Sequence, residues 1–504
     1  GLGTILADSC GSDPAGTKSG SIIGTAFRDY NFNSIEDTTE PGLEGIVVTA
    51  YDNTNASVGT TTTDYYGEYE ISGLNDADTY RIEFTFPAGL DSWMYYLEVG
   101  ASTGDSGNDS QSTVQFVQPG ASCNTDVSFV NPNEYCEAEP DSGIACYSQG
   151  DPLATGTDEA GARDWFVNYS YDSSGAIPDP TYTAPYQHTD GAVIGATWGH
   201  AYHKDTQTSL ASALMKRHVG LGVDGTGAIY SIDPNIAGGN PQLFINLNGF
   251  TATNTGNIIS TGANTRPVQN CADAGADLDN CLPSDPTQAS VDLDAFAAVG
   301  KVGYGDLQLS DDMKTLYTVN LADRTLLEMP VGLGLTTPTV VNEFDITAAM
   351  GTLYGTDADT ATPACGSLDD YRPWGLEFKD NKIYVGVVCS AETSKDEGDL
   401  HAYIISTDHL NPGTFTAEFD FSLEYARDET YVDGTNDELG IWLPWEDQWG
   451  NFPIYESSKA WGNPTPILSD IEFDTDGSMI LGFVDRSAHQ IGAENEAAVP
   501  GGDG

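Results

Sequence analysis

Basic side chains are scarce in this chain of 504 residues. Lys and Arg total 18 against 76 Asp and Glu, which gives a formal net charge of −58 at pH 7. Because phosphate neutralisation needs a basic face, this balance excludes a nucleic-acid-binding protein and argues against docking on anionic lipid. A carboxylate surplus of this size is typical of proteins that bind cations such as Ca²⁺ or that live in salty water.

Long apolar runs are also missing. None approaches the roughly 18 residues of a transmembrane helix, so we predict no transmembrane segment. Hydrophobic residues nevertheless make up 39% of the chain and aromatic residues 10%, which is enough for a sizeable core and excludes disorder. The 56 Gly and 25 Pro separate many short apolar runs, and this pattern favours an all-β fold.

The chain contains no CxxC motif, which argues against zinc ribbons and thioredoxin-like redox sites. Its eight cysteines form separated pairs in an acidic, glycine-rich sequence, and this pattern favours disulfides and an oxidising, extracellular compartment. Buried free thiols are the alternative. The predicted disulfides are Cys10–Cys123, Cys136–Cys146, Cys271–Cys281 and Cys365–Cys389.

The sequence divides near residue 135. Segments such as SIIGTAF, GEYEISGL and TYRIEFTF alternate apolar and polar residues, which predicts the strands of an immunoglobulin-like β-sandwich of roughly 110 residues. The predicted organisation is an N-terminal arm at 1–19, the sandwich at 20–135, a linker at 136–150, a second domain at 151–491 and a flexible tail at 492–504.

A twelve-residue loop of oxygen donors lies inside the predicted sandwich and fits D-x-[DN]-x-[DN]-G-x₅-E except at its sixth position, where Ser34 replaces Gly. Ca²⁺ prefers six to eight oxygen ligands, so the spacing predicts a calcium site. Two Asn in place of Asp suggest a weaker affinity suited to millimolar calcium. An Asx-rich turn without metal is the alternative. The predicted ligands are Asp29, Asn31, Asn33, Asp37 and Glu40, with the backbone carbonyl of Ile35.

The segment GTAFRDYNFNSIEDTTEPGLEGIVVTAYD, followed by TTTDYYGEYEISGL, closely resembles the SdrD B-like domains of bacterial surface proteins, relatives of the Cna-B fold. The resemblance covers about residues 20 to 130. It implies a β-sandwich spacer that calcium stiffens, with the loop residues as ligands and Asp64 as a further acidic position. No lysine lies between Lys18 and Lys204, so a Lys–Asn isopeptide cross-link is not available inside the domain.

A hairpin pattern recurs in the second region. GDLQLSDDMKTLYTVN, WGLEFKDNKIYVGVVCS and DIEFDTDGSMILGFVDR each hold an alternating strand, a polar turn and a second apolar strand, and GLGVDGTGAIYSIDP is interpreted as another copy. Recurring hairpins are typical of propeller blades, and about 350 residues at roughly 45 a blade predict a β-propeller with seven blades. The region also resembles the propeller that often follows an SdrD B-like module in large secreted bacterial proteins.

No catalytic motif accompanies this pattern, since a G-x-S-x-G elbow, an H-E-x-x-H pair and a P-loop are all lacking. His200 and His203 lie three apart, which places them on opposite faces of a strand, and spacing fixes no third metal ligand. We therefore predict structural histidines and no catalytic residues. Carboxylates around a central calcium, as in gluconolactonase-like propellers, are an alternative that spacing leaves open.

Four of the eight tryptophans fall within twenty residues, in WLPWEDQWGNFPIYESSKAW. Such a loop is a candidate surface for sugar rings or for a partner subunit, because Trp and Tyr dominate contact hot spots. The alternative is a long loop that buries its own aromatic rings. The residues concerned are Trp442, Trp445, Trp449 and Trp461.

Taken together, these features predict a secreted or cell-surface structural or adhesive protein of bacteria that is stabilised by calcium. Its expected partners are further copies of itself, in a filament or sheath, or other surface proteins and glycans. The apolar strand of the arm, Leu2 to Leu6, is the expected donor to a neighbour's sheet edge. The alternative is a secreted propeller enzyme, lactonase-like or lyase-like, or a carbohydrate-binding protein.

Overall fold

The chain divides into two compact units, residues 1–138 (the sandwich unit) and residues 139–504 (the C-terminal unit). Cys10, Asn31, Cys123 and Cys136 lie outside the residues that the structure describes. The computed structural model describes residues 18–30, 32–37, 40–86, 98–99, 112–119, 125–130, 141–171, 173–174, 186–233, 240–273, 279–355, 364–425, 441–451, 454–455, 460–461, 464–474 and 477–492.

The sandwich unit contains two four-stranded sheets, ordered β4-β1-β8-β6 and β3-β2-β5-β7. Strand β1 pairs antiparallel with β4 and parallel with β8. The strands are β1 (Ser21–Arg28), β2 (Val47–Tyr51), β3 (Ser57–Thr62), β4 (Glu68–Ser72), β5 (Tyr80–Thr85), β6 (Glu98–Val99), β7 (Val114–Val117) and β8 (Val127–Val130).

The alternation read from the sequence matches the burial in these strands. Tyr69 and Ile71 on β4 are buried, as are Tyr80, Ile82 and Phe84 on β5, while the residues between them are partly or fully exposed. The rings of Tyr69 and Phe84 meet edge to face at 5.6 Å and so join one sheet to the other. The prediction of a β-sandwich is confirmed.

The C-terminal unit is built almost entirely of antiparallel strands. Its first half contains β9 (Asp141–Ala145), β10 (Asp164–Ser170), β11 (Tyr186–Asp190), β12 (Thr197–His203), β13 (Thr208–Ala213), β14 (Ala228–Ile232), β15 (Gln242–Asn246), β16 (Tyr304–Leu309), β17 (Thr315–Asn320), β18 (Thr325–Pro330) and β19 (Asn342–Asp345). Strand β9 pairs with β10, although it lies in the segment that the sequence predicts as a linker. Because β9 is mostly polar or small in composition, the sequence pattern does not predict it as a strand.

The second half contains β20 (Tyr371–Lys379), β21 (Lys382–Cys389), β22 (His401–Asp408), β23 (Phe415–Ser422), β24 (Ile454–Tyr455), β25 (Ala460–Trp461), β26 (Pro466–Phe473) and β27 (Met479–Asp485). Short helices connect the strands: α1 (Gly191–Ile194), α2 (Leu293–Ala298), α3 (Ile346–Leu353) and α4 (Ser487–Gln490). Among the described residues, no helix is long and apolar enough to span a membrane.

Three sheets of this unit are four-stranded meanders, β12 to β15, β16 to β19 and β20 to β23, and β26 with β27 forms a hairpin. The first strands contact one another in succession, β12 with β16, β16 with β20 and β20 with β26. The seven blades expected from chain length stay a prediction, since the described residues of this unit form three meanders, one three-stranded sheet and two hairpins. GLGVDGTGAIYSIDP is out of phase with the other copies, since it contains β14, a third strand.

Glycines allow the first strands to approach closely. A Cβ atom on Gly199 of β12 would lie 2.7 Å from the carbonyl oxygen of Gly305, and one on Gly305 would lie 2.6 Å from that of Trp374. A Cβ on Gly375 would lie 2.8 Å from the backbone nitrogen of Asp470. These distances are too short for a Cβ atom, so the three successive strand contacts require glycine at these positions.

Two of the four predicted disulfides are present, Cys271–Cys281 and Cys365–Cys389. Cys146 is a free cysteine in the structure, whereas the sequence pairs it with Cys136. The Cys146 thiol is half-buried, and burial together with the nearby Asp164 carboxylate raises its pKa.

Candidate functional site

The acidic loop, residues 29–40, begins where β1 ends. Asp29 is fully buried, and its backbone nitrogen donates to the carbonyl oxygen of Phe129 at 2.9 Å, which anchors the start of the loop to β8. Glu40 at the other end is also buried, and its backbone nitrogen donates to the carbonyl oxygen of Asp37 at 3.0 Å. The first and last donors of the sequence motif therefore both lie inside the protein.

Both terminal carboxylates accept hydrogen bonds from the backbone of the loop. Asp29 accepts from the nitrogens of Asn33 at 3.1 Å and Ser34 at 2.7 Å. Glu40 accepts from the nitrogens of Tyr30 at 2.8 Å and Asp37 at 3.1 Å. The loop thus closes around the two carboxylates, because its own N–H groups point inward.

The middle of the loop is held by side-chain contacts. The amide of Asn33 donates to the Asp37 carboxylate at 2.8 Å, and its side-chain oxygen accepts from the nitrogen of Ile35 at 2.6 Å. The side chain of Ile35 is 45% exposed, which is consistent with a position that offers a ligand only through its backbone. Four predicted ligands, Asp29, Asn33, Asp37 and Glu40, are therefore joined in one hydrogen-bonded loop.

Ser34 takes a left-handed backbone conformation with a φ of 60°. This is the sixth position of the motif, where glycine is usual because a sharp turn is needed. Ser34 is buried, and its nitrogen reaches Asp29 only in this conformation of the loop. A residue with a Cβ atom in the left-handed region is strained, so the loop keeps the turn at an energetic cost.

Glu36 is an acidic residue of the loop that lies outside the ligand positions of the motif. Although Glu36 keeps an exposed surface, partial desolvation raises its pKa to about 7, and the negative charges of Asp126, Glu68 and Glu40 add to the shift. Burial also raises the pKa of Asp126 to about 6. Glu68 and Asp126 are distant from the loop in sequence, so only the assembled sheets bring these charges to Glu36.

Asp64, the further acidic position implied by the family resemblance, lies in the turn between β3 and β4. Its exposed carboxylate accepts from the backbone nitrogens of Tyr66 and Glu68, both at 3.0 Å. This is the hydrogen bonding of an Asx-type turn.

The oxygen donors of the acidic loop match the chemistry that Ca²⁺ prefers. Within the described residues, however, no three His, Cys, Asp or Glu side chains converge in an arrangement that could hold a metal ion. The reason is visible in the loop itself, where the oxygens of Asp29 and Glu40 face backbone N–H groups. An ionised carboxylate has about four lone-pair sites, so Asp29 and Glu40 keep acceptor capacity beside these hydrogen bonds.

Two of the four tryptophans in the tryptophan-rich loop are buried, so for these two the alternative of a loop that buries its own rings holds. Trp442 and Trp445 are 4% and 1% exposed. The Trp445 ring donates to the carbonyl oxygen of Pro466 at 2.8 Å and packs against the Arg486 guanidinium at 4.4 Å. Trp449 is half-buried and meets the ring of Phe296. The side chain of Trp461 lies outside the described residues.

The two histidines of β12 have different surroundings. His203 is buried, and its Nε2 lies 3.0 Å from the carbonyl oxygen of Met313 and 3.2 Å from that of Gly332. His200 packs against Phe166, and its buried Nε2 has no hydrogen-bond partner among the described residues. Burial lowers the pKa of His200 to about 4, so its ring is neutral at pH 7. His200, unlike His203, is thus not a satisfied structural histidine.

His200 faces a cavity of about 290 Å³ between the first strands, which we call the acidic cavity. The wall also includes Trp198, Gln308, Leu376 and Ser469. Its four carboxylates come from β16, β20 and β26 and are Asp306, Glu377, Asp470 and Glu472.

Burial and repulsion between neighbouring charges raise the pKa values of these carboxylates. Burial raises the pKa of Asp306 to about 8, with further contributions from Asp470 and Glu472. Burial likewise raises the pKa of Glu377 to about 8, and the charges of Glu472, Asp470 and Asp306 add to it. Glu377 accepts a hydrogen bond from Gln308 at 2.9 Å, and Asp306 accepts from the backbone nitrogens of Leu307 at 2.8 Å and Leu376 at 3.2 Å. Hydrogen bonds thus offset only part of the cost of burying these charges.

A repeated residue pair in the sequence marks this cavity, although none of the predictions above uses it. Trp198-Gly199-His200, Tyr304-Gly305-Asp306 and Trp374-Gly375-Leu376 repeat an aromatic residue followed by glycine, and in each triplet the last residue lines the cavity. The ladder of each strand is irregular at this glycine. The repeated aromatic–glycine pair therefore aligns the first strands of the three meanders.

The sandwich unit is thus an immunoglobulin-like β-sandwich that carries a buried, oxygen-rich loop of twelve residues. Residues 20–129 match the family model of the SdrD B-like domain, and this segment is a member of that family. The resemblance read from the sequence is confirmed.

Relatives extend the similarity to most of the chain. Colossin-C from Dictyostelium discoideum is 24% identical over 476 residues, which cover 92% of this chain and 40% of the colossin. Serine-aspartate repeat-containing protein F from Staphylococcus epidermidis is 39% identical over 88 residues, which cover 17% of this chain and 5% of that protein. The chain therefore spans two fifths or less of the length of these relatives.

Solved structures show weaker likeness. The shaft pilin SpaA from Lactobacillus rhamnosus GG is 13% identical, with a TM-score of 0.15, and the match covers 27% of this chain and 55% of the pilin. A 6-phosphogluconolactonase-like protein from Bacteroides fragilis is 11% identical, with a TM-score of 0.23, and the match covers 90% of this chain and 97% of that protein. TM-scores this low carry no information about function.

Proposed function

We propose that this chain is an extracellular structural surface protein whose SdrD B-like domain is a spacer stiffened by calcium. The observation that carries the proposal is the membership of residues 20–129 in the SdrD B-like family together with the buried oxygen donors of the acidic loop. The disulfides Cys271–Cys281 and Cys365–Cys389 support an oxidising compartment, because cytosolic proteins rarely keep such bonds. The net charge of −58 fits a protein that works among divalent cations.

In this proposal calcium binds the folded loop through Asp29 and Glu40, whose carboxylates keep acceptor sites beside their backbone hydrogen bonds. Because the ion binds only the folded domain, it stabilises that domain by mass action, by about 2.7 kcal/mol at a hundred times the dissociation constant. Asn33 and Asp37 supply further oxygens, and Ile35 supplies its carbonyl. The left-handed turn at Ser34 is the strained part of the loop that the ion would hold in place.

Thermal unfolding of the full chain in millimolar calcium and in chelator tests this proposal. We expect calcium to raise the melting temperature of the wild type, and Glu40→Ala to abolish most of the increase. Glu44→Ala is the matched control, since Glu44 is an exposed carboxylate four residues away on the same domain. An unchanged melting temperature of the wild type on chelation would refute the calcium site.

Self-association is the second part of the proposal. A strand-donating arm makes a heterologous contact, which generates rings or open filaments rather than closed dimers. Calcium and salt oppose the repulsion between copies that carry this much negative charge. Light scattering on the same samples measures the particle size, with deletion of residues 1–9 as the variant. A wild-type chain that stays monomeric at high concentration in calcium would contradict the proposed self-association.

For the C-terminal unit we propose a β-propeller, in which β12, β16, β20 and β26 are the inner strands of successive blades. The support is the succession of first-strand contacts and the glycines between them. Overpacking at such a position costs about 1–3 kcal/mol, so Gly305→Ala should lower the melting temperature clearly. Gly450→Ala, where a Cβ atom meets no neighbour, should not. Equal effects of both substitutions would contradict the close packing.

A further inference from the structure

We propose that the acidic cavity between β12, β16, β20 and β26 binds a small organic cation that carries primary ammonium groups. The cavity presents carboxylates from three strands to a volume of about 290 Å³. None of the described side chains that line it is a lysine or an arginine. A ligand with positive charge is therefore the counterpart that this wall lacks. The proposal does not depend on the calcium loop, which belongs to the other unit.

The electrostatics of the cavity favour such a ligand. Burial raises the cost of ionising Asp306 and Glu377, and the charges of Asp470 and Glu472 add to it. A buried charge is costly unless it is paired and hydrogen-bonded. Hydrogen bonds from ammonium groups to carboxylates are charge-assisted and are among the strongest in proteins. A bound cation would relieve the repulsion and add charge-assisted hydrogen bonds in one step.

His200 provides an independent observation. Its Nε2 is buried, belongs to a side chain that lines the cavity, and has no hydrogen-bond partner among the described residues. Buried polar groups in native proteins are nearly always satisfied, so an orphaned one at a cavity wall points to a missing ligand atom. The neutral ring can accept a hydrogen bond from an ammonium group. Trp198 also lines the cavity, and an indole ring is a side chain that attracts organic cations.

The size and spacing of the cavity favour an organic cation over a bare metal ion. At about 30 Å³ for each water-sized group, the cavity has room for roughly ten such groups, which suits an alkyl diamine or triamine. Among the described residues, no three carboxylates or imidazoles converge closely enough to chelate a metal. Several separated ammonium groups can instead reach carboxylates on different strands.

Titration calorimetry of the full chain with spermidine at about 150 mM salt tests the proposal, because salt at this level screens non-specific attraction to the surface. We expect a single saturable site whose affinity falls at least about tenfold in Glu377→Gln, since a charge-assisted hydrogen bond is lost. His200→Phe should weaken binding as well. Glu397→Gln is the matched control, because Glu397 is an exposed carboxylate of the same unit whose substitution removes the same charge. Circular dichroism verifies that each variant is folded.

Calcium chloride titrated into Glu40→Ala is the second arm, since that substitution removes the proposed site of the sandwich unit. Spermidine binding that is lost in Glu377→Gln and kept in Glu397→Gln supports the organic cation. Calcium binding that is sensitive to Glu377→Gln, without spermidine binding, would overturn the proposal in favour of a metal site. Weak binding of spermidine that is equal in all variants, or no binding, would also overturn it.

Discussion

The acidic loop and the acidic cavity both concentrate carboxylates, but they differ in the groups that surround those carboxylates. In the loop, Asp29 and Glu40 each accept two hydrogen bonds from backbone nitrogens a few residues away. In the cavity, Asp306 also accepts two hydrogen bonds from backbone nitrogens, those of Leu307 and Leu376, yet burial and the charges of Asp470 and Glu472 raise its pKa to about 8. The comparison teaches that backbone hydrogen bonds alone do not set the pKa of a buried acid, because desolvation and neighbouring charges act on it as well.

A third buried acid sharpens the contrast within the C-terminal unit. Asp292 is fully buried, like its partner Arg266, whose guanidinium reaches it at 2.8 and 2.6 Å. Asp292 also accepts from the backbone nitrogen of His218 at 2.8 Å. The same substitution, Asp to Asn, should therefore have opposite consequences at positions 292 and 306.

The largest effect is expected for Asp292→Asn. It leaves the Arg266 guanidinium buried without its counter-charge, and breaking a buried ion pair in this way costs about 3–5 kcal/mol. Chemical denaturation of the C-terminal unit, followed by tryptophan fluorescence, measures the loss. Arg266→Met combined with Asp292→Asn removes both charges and should recover part of it. A neutral effect of the single substitution would contradict the distinction between an acid paired with an arginine and an acid that faces other carboxylates.

An intermediate effect of opposite sign is expected for Asp306→Asn. The folded pKa of Asp306 lies above the value near 3.9 of an unfolded chain, so the folded state holds more protons between about pH 4 and 8. Stability conferred by the protonated carboxyl is thus complete below pH 4 and is lost as the pH rises through about 8. The substitution should leave the melting temperature nearly unchanged at pH 5 and raise it at pH 8. The corresponding gain in the free energy of unfolding at pH 8 is on the order of 1–3 kcal/mol.

Thermal unfolding at the two pH values, in buffer free of amines and divalent cations, provides the measurement. The difference between wild type and variant isolates Asp306, since every other titrating group is common to both. A variant that is destabilised equally at pH 5 and pH 8 would show that Asp306 holds the fold together through its hydrogen bonds rather than opposing it through its charge.

The smallest effect is expected for Ser34→Gly in the acidic loop. Glycine takes the left-handed conformation without the steric cost that a Cβ atom brings, so the substitution should stabilise the sandwich unit by about 1 kcal/mol. It should also strengthen the proposed calcium binding, because less strain remains to be overcome. Melting curves with and without calcium measure both effects. A lower melting temperature would indicate that the serine side chain contributes more than its backbone strain costs.

Some features are readable from the sequence because their causes are local. Strands β4 and β5 of the sandwich follow from alternation over five and six residues, and the acidic loop closes through hydrogen bonds between residues no more than ten apart. The Cys271–Cys281 pair lies ten residues apart, and its predicted disulfide is confirmed. In each case the interacting groups are neighbours in sequence, so the chain geometry brings them together.

Other predictions fail where distant residues decide. The tryptophan-rich loop contains rings that suit a binding surface, but Arg486 and Pro466 enclose Trp445. The burial of a ring is not encoded in the spacing of aromatic residues.

The sequence by itself therefore determined the all-β class, the division into two units, the SdrD B-like domain and the acidic loop, because alternation, turn residues and ligand spacing act over a dozen residues or fewer. Only the tertiary structure decided which carboxylates repel one another, which tryptophans are buried and that His200 lines a cavity. Those properties arise where β12, β16, β20 and β26 meet, and strand contacts across long stretches of chain depend on packing that no local pattern records.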